Sequence, residues 1–492
     1  MYIRTIVSLL LGVFTTRILL EALGESDFGL YNVVGGSISM LGFLSASMSS
    51  ATQRFLSVAE GEGNKAKIKL YFNNSLIIHW ALAGIMIVFF SIAGIFFFNG
   101  ILNIPNGKFY DALIVYGCLL VSTVFSITVV PYEAEINAHE NMLFFSIVGI
   151  IDVVLKFSIA FAVLYFESDK LIFYAILMVV ESFAIRYLCQ IYCQWKYEEC
   201  KSSNIRQSYD LSIIRQMTSF AGWNMANIAT GMISLFGMNI VVNHYFGTNV
   251  NAAMGIATQL SGVLMGVSAN MIKAVSPIIM KSEGSNQHEK MLQYTYVSCK
   301  FSYIIFSVCC IPVLFFIQPI LKLWLNEVPQ WTAIFCIILI ISTLIEQITV
   351  VIYQSIMAGG NVKYYNIFRS IVNISPLLAS ILMFQLGTFP PYWVLINWGL
   401  YKSLLGGLVN IYFAHKNLQL SLHCFVKNVL YPSICSSSII IIICALATCI
   451  KLNWSLTFSM CFIVSIPIYW LIALNNNERN QILSISPIKR CR

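Results

Sequence analysis

Apolar residues gather into long runs separated by short polar connections. A membrane helix needs about 20 mostly apolar residues. Runs of about that length fall at 3–23, 28–50, 71–98, 112–131, 143–166, 171–194, 217–243, 252–280, 294–318, 331–357, 364–386, 391–414, 428–449 and 455–474. The pattern therefore predicts fourteen membrane helices. The longest connection runs from 195 to 216, which leaves no room for an extramembrane domain. The first run begins almost at Met1, and Arg17 interrupts the stretch where a small-residue cleavage site would fall. It reads as a first membrane helix rather than a cleaved leader.

The runs also repeat. "EALGESDFGLYNVVGG" begins at Glu21 and "HYFGTNVNAAMGIATQ" at His244, which sets Gly24 and Gly247 at an offset of 223. At the same offset "ATQRFLSVAEG" (51–61) lies over "AVSPIIMKSEG" (274–284), and both end in Glu–Gly. "INAHENMLFFSI" (136–147) lies over "IMAGGNVKYYNI" (356–367) at an offset of 220. Six runs fit in one repeat, so both halves cross the membrane in the same sense. Parallel repeats of this kind are related by an axis along the membrane normal, with substrate sites at their interface.

Composition agrees. Of 492 residues 58% are hydrophobic and only 10% charged, with a mean hydropathy of +0.78, against about 25% charged in soluble domains. The net charge of +8 does not point to nucleic acid, because the basic residues are scattered between apolar segments. That scatter sets orientation. With the N-terminus in the cytoplasm, eighteen basic residues, Arg369 among them, fall in cytoplasmic loops and the tail. Four, Lys108, Lys170, Lys322 and Lys451, fall in outer loops. Both termini are expected in the cytoplasm. The fourteen cysteines lie almost all inside apolar runs without a CxxC pair, as small hydrophobes. "NAHEN" (137–141) has one His–Glu pair and no second histidine, so it is no metalloprotease motif. No GxxxxGK[ST] motif is present, and neither metal nor cofactor is expected.

"TTRILLEALGESDFGLYNVVGG" and "ASMSSATQRFLSVAEGEGN" resemble bacterial polysaccharide flippases of the Wzx type, in the superfamily that includes the lipid II flippase MurJ and the MATE exporters. "PYEAEINAHENM" (131–142), "GWNMANIATGM" (222–232), "GTNVNAAMGIATQ" (247–259) and "AGGNVKYY" (358–365) are similar to the same subgroup. The resemblance spans roughly residues 1–370. It implies an all-α integral membrane protein of MATE-like fold: two parallel six-helix repeats around a central cavity, plus two C-terminal helices. It also implies alternating access and a substrate of sugars on a polyprenyl diphosphate. The chain departs from the subgroup at Met254, where an arginine is common, and at Lys273, where a neutral polar residue is more common.

Ionisable residues inside a membrane cost a few kcal/mol or more and are functional candidates by default. Asp152 and Lys156 are spaced i,i+4 and read as a neutralised pair, with ion coupling as the alternative for Asp152. Glu181 and Arg186 read as structural. Lys402 and Glu346 lie deep in their helices. They either pair with one another or act separately, Lys402 on the substrate and Glu346 in ion coupling. Arg17 either snorkels outward or faces a diphosphate from the cavity wall, where its planar fork donates two hydrogen bonds. Lys273 precedes Pro277, which cannot donate to the Lys273 carbonyl, so a bend is expected there. By the repeat, Pro277 overlays Arg54. Arg54 and Lys273 are expected to flank the cytoplasmic half of the cavity. Asn224, Asn227 and Asn239 line it or bond between helices.

The domains expected are an N-terminal lobe (1–194), a cytoplasmic linker (195–216), a C-terminal lobe (217–415), and two further helices with a tail (416–492). The function expected is a flippase. It carries a polyprenyl-diphosphate-linked oligosaccharide, an O-antigen or capsule repeat unit, from the cytoplasmic to the periplasmic leaflet of a bacterial inner membrane. The alternative is a MATE-type ion-coupled cation or drug exporter, whose site should favour carboxylates. An enzyme on the same carrier would show a large outer loop or a catalytic domain, and a scaffold would not need buried charges on several helices. The partners expected are the lipid-linked glycan, membrane lipids and the polysaccharide polymerase machinery, with no nucleic acid.

Overall fold

The computed structural model describes residues 2–39, 42–98, 108–201, 209–325, 328–449, 453–476 and 478–480. Arg206, Lys451, Lys489, Arg490 and Arg492, sorted above by loop, lie outside the described residues. Every regular element among those described is helical.

The chain divides into two compact units. The first holds residues 1–225 and 280–287, the second 226–279 and 288–492. The first unit contains α1 (Tyr2–Ser39), α2 (Gly42–Gly61), α3 (Lys65–Phe96), α4 (Phe109–Thr128), α5 (Val130–Ala138), α6 (Met142–Leu164) and α7 (Lys170–Lys196), then a single 3-10 turn (Glu198–Cys200). Helix α8 (Leu211–Gly284) passes from one unit into the other and back. The second unit continues with α9 (His288–Phe315), α10 (Ile317–Trp324), α11 (Thr332–Gln347), α12 (Ile352–Gly359), α13 (Lys363–Leu386) and α14 (Trp393–Trp398). A π-helical segment (Gly399–Leu405) leads into α15 (Gly406–Leu418). Then come α16 (Leu422–Phe425), α17 (Tyr431–Cys449) and α18 (Trp454–Ile468).

Among the described residues nine helices are long and apolar enough to cross a membrane. A tenth counts if α11 and α12, bent by 44°, form one span. Their outward faces are apolar: Ile85, Phe96, Leu382 and Leu446 are each more than half exposed, as suits contact with lipid. Polar residues mark the starts. Asn64 accepts from the Lys67 N–H at 3.1 Å, and Asp210 accepts from the Ser212 N–H at 2.8 Å, supplying partners to otherwise orphaned amides.

The repeat read from the sequence is a repeat of backbone conformation. Helix α1 breaks at Gly24 (φ 75°, ψ 168°) and α8 at Gly247 (φ 80°, ψ −178°). This region of backbone space is open essentially to glycine alone. Helix α8 runs on through Pro277, and its non-helical dihedrals lie at Gly247. The second repeated signature is also structural. Within the first unit, the end of α8 packs on the end of α2. A side chain on Gly61 would run into the Lys281 carbonyl, and one on Gly284 into the Val58 carbonyl. Each glycine lets the other helix's backbone approach, as small residues do between membrane helices.

Each unit has its own core. Leu23, Val34, Phe90, Tyr116, Val163 and Leu171 belong to that of the first, and Met254, Phe306, Phe335, Ile340 and Leu395 to that of the second.

Candidate functional site

The first unit holds a cavity of about 430 Å³ whose walls are charged. Helix α6 supplies Asp152 and Lys156, one turn apart, with Nζ 2.7 Å from the Asp152 carboxylate. Helix α7 supplies Glu181, 5% exposed, with Oε1 3.8 Å from the same Nζ. The Ser182 hydroxyl donates to Glu181 at 3.3 Å. Arg4 of α1 lines the same space, its guanidinium 4.9 Å from the centre of the Phe145 ring. It rests where Gly149 has no side chain, since a Cβ there would meet it. Glu133 of α5 and the hydroxyls of Ser122, Thr123 and Ser126 of α4 complete the polar lining.

Two cations and three carboxylates thus face one cavity inside helices that are apolar on their outer faces. Charges there are tolerated because they meet each other and open space rather than hydrocarbon. Carboxylates held beside one ammonium can take up a proton or a sodium-sized cation by exchanging partners, without moving a helix.

The i,i+4 pairing of Asp152 with Lys156 is present as read from the sequence. Glu181 is not a partner of Arg186; it belongs to the Asp152–Lys156 group. Arg186 instead donates from Nε to the Thr128 hydroxyl at 2.8 Å and from its fork to Gln190 at 2.9 Å. Arg4, missed in the sequence reading, is recoverable only from its place at the start of an apolar run.

The other candidate residues lie elsewhere. Arg17 is exposed on α1 and has no ion pair among the described residues. Arg54, on α2, has its guanidinium 4.7 Å from the Phe55 ring centre and 5.1 Å from that of Phe220, all in the first unit. Lys273 is exposed on the α8 stretch that belongs to the second unit. Glu346 and Lys402 do not pair. Glu346 has Arg369 at 3.8 Å, and Arg369, which the loop count placed in the cytoplasm, is a buried residue of α13. Lys402 lies in the π-helical segment, Nζ 4.4 Å from the ring centre of Trp398. Its carbonyl accepts from Arg369 at 3.3 Å. The residue four positions earlier on the same face has captured the ammonium.

Asn224 is fully buried in the first unit. Asn227 accepts from the Asn373 amide at 2.8 Å, a link between α8 and α13. The Asn239 amide bonds back to the Leu235 carbonyl at 2.9 Å.

A deeper ion pair escaped the sequence reading altogether. Lys300, 1% exposed on α9, donates to Glu478 at 2.6 Å. Helix α9 is the most buried of the spans, with 67% of its apolar window inside the protein, so this lysine is enclosed by protein rather than lipid. Its place in the run 294–318 was the available signal.

The MatE family model matches residues 225–377. The crystal structure of a MATE point mutant superposes with a TM-score of 0.73 over 85% of this chain and 94% of that one, at 11% identity. The fold is that of the MATE transporters. A Vibrio cholerae MATE transporter, VcmN, in its bent form gives a TM-score of 0.66 at 17% identity over 85% of this chain and 96% of that one. A MOP superfamily transporter from Pyrococcus furiosus gives 0.70 at 12% identity over 85% and 94%. At these identities the likeness is one of fold. No curated protein sequence matches the chain. The solved structures that share this fold are described as transporters, and a multi-pass membrane fold agrees with the apolar spans above.

Proposed function

We propose that this chain is an ion-coupled transporter of the MATE kind, working by alternating access in a bacterial inner membrane. The charged cavity of the first unit takes up and releases the coupling cation. One observation carries the reading: Asp152, Glu181, Lys156 and Arg4 meet around a cavity inside membrane-spanning helices. Charges gathered around open space within membrane helices are candidates for function by default. The MatE match supports the reading, as does a solved neighbour described as a multidrug resistance transporter of the MATE family. The test is efflux of cationic dyes from a bacterium stripped of its own exporters. The wild type should lower dye accumulation, and Asp152→Asn and Glu181→Gln should each lose that effect at equal protein levels. Efflux kept by both variants would remove the cavity from the mechanism.

A second reading is favoured by the distribution of cations. Arg17 and Lys273 are exposed, and Lys402 has no ion pair among the described residues. The deep carboxylates Asp152, Glu181 and Glu346 each have a cationic neighbour. Cations held at an accessible surface suit an anionic substrate, and arginine above all suits a diphosphate. With the resemblance to Wzx-type proteins, this points to a flippase for a polyprenyl-diphosphate-linked oligosaccharide. The Pyrococcus furiosus neighbour is described as having a binding pocket of reversed polarity that suggests a different function, so the fold is compatible with a change of substrate charge. Complementation of a strain lacking its own polysaccharide flippase separates the readings. Surface polysaccharide restored by the wild type and lost in Arg17→Ala and Lys273→Ala would favour the flippase. No restoration together with dye efflux would leave the exporter.

A further inference from the structure

A second cluster of ionisable groups stands apart from the charged cavity. Glu135 on α5 and His139 at its C-terminal end are four residues apart and so share a face. Glu199 comes to them from the 3-10 turn Glu198–Cys200. His139 Nε2 is 2.7 Å from Glu199 Oε1 and 3.3 Å from Glu135 Oε1. The three donor atoms all lie within 4.8 Å of one another. On the other side of the ring, Nδ1 lies 3.4 Å from Glu60 Oε1. Tyr197 stacks on the imidazole with centroids 4.0 Å apart, which fixes the ring plane.

Glu135 is the anomaly. It is 0% exposed, and neither carboxylate oxygen has a hydrogen bond. The one N–H that Nε2 could offer goes to Glu199. A buried carboxylate without a hydrogen-bond donor costs several kcal/mol, and the imidazole at 3.3 Å offsets this only in part. A divalent cation would compensate it. Bonds of about 2.1 Å in a tetrahedron set donors roughly 3.4 Å apart, close to the spacings found. A metal-bound histidine donates its other N–H to a carboxylate, and Glu60 stands there. One imidazole with two carboxylates suits zinc or manganese better than calcium, which takes six to eight oxygens.

We propose that Glu135, His139 and Glu199 bind one first-row divalent cation of the zinc or manganese type, with Glu60 orienting the imidazole. The site ties α5 to the turn after α7. Through Glu60, which also faces Lys281 at 3.6 Å, it adjoins the contact between Gly61 and Gly284.

The test is metal binding by the full chain, purified in detergent on a tag without histidine and stripped with chelator. Calorimetric titration with zinc and with manganese should show one equivalent bound. Cobalt should develop visible ligand-field bands that zinc abolishes. At a hundredfold excess over Kd the melting temperature should rise by about 3 °C or more. Glu135→Gln and His139→Gln should each weaken binding at least about tenfold. Glu62→Gln, whose carboxylate faces Lys67, should bind as the wild type does. Absence of saturable binding below millimolar metal would overturn the proposal, and so would equal affinity in the wild type and both ligand variants. Should the variants fail to fold, an unchanged cobalt spectrum in the wild type overturns it alone.

Discussion

The charged cavity of the first unit and the sealed pairs of the second carry buried charge in different ways. In the first, Asp152, Glu181, Lys156 and Arg4 surround a cavity of about 430 Å³, so their partners can be exchanged. In the second, Lys300 is sealed against Glu478 and Arg369 is packed between Glu346 and the backbone of Lys402. Gly406 lacks the Cβ that would collide with the Arg369 guanidinium. Two halves that repeat one another in sequence have therefore diverged in what their charges do. Open space beside a charged group, rather than its depth in a helix, separates a candidate for coupling from a structural pair.

The sealed pairs should respond most strongly to mutation. Lys300→Ala leaves Glu478 without its cation, and breaking a buried pair costs about 3–5 kcal/mol. Thermal unfolding in detergent should show that loss. Lys300→Met combined with Glu478→Gln should recover most of it, because neither charge then remains buried. A Lys300→Ala protein as stable as the wild type would show that the second unit's charges are no more sealed than the first's.

Next in size is the glycine contact. Gly61→Ala and Gly284→Ala each place a methyl against a carbonyl of the facing helix, and overpacking of this kind costs about 1–3 kcal/mol. Both act on one contact, so the double variant should lose less than the two single losses combined. Additive losses would mean that the glycines do not share it.

The same glycines show what could be read from the sequence. The offset of 223 paired Gly24 with Gly247 and Gly61 with Gly284 because each does something only glycine allows, and such positions leave a trace in the residue itself. Membrane helices were legible for a similar reason, since hydrocarbon demands one composition over a fixed length. Charge partnership left no such trace. Asp152–Lys156 was readable because one helix sets the spacing. Glu346 meets Arg369 from another helix, and Arg369 was counted in a loop because it follows the start of α13 by only six positions. Glu478 comes after the last apolar run, with nothing local to mark its reach to Lys300. Arg17, Arg54, Lys273 and Lys402 stood out as costly charges, but their cost does not say whom they face.

In the first unit the effect should fall on transport rather than stability. Asp152→Asn and Glu181→Gln keep shape and hydrogen bonding beside open space, so melting temperature should move little, while transport falls about tenfold or more, equivalent to about 1.4 kcal/mol in the barrier. Glu346→Gln should do the reverse, loosening its pair with Arg369 and leaving residual transport near wild type. A transport loss at Glu346 as large as that at Asp152 would break the contrast between the units.

The smallest effect is expected at Lys402, and it decides most about substrate. Its ammonium lies over Trp398, a cation–π contact worth about 0.5–2 kcal/mol. Lys402→Met keeps the apolar stem and deletes the charge, so the stability loss should sit at the low end of that range. If Lys402 only packs on Trp398, transport of any substrate should survive. If it faces an anionic headgroup, the variant should fail in flippase complementation while a Trp398→Phe protein, which keeps the ammonium and a ring beneath it, succeeds. Equal complementation by both would remove Lys402 from the substrate cations and leave Arg17, Arg54 and Lys273 to carry the anionic reading.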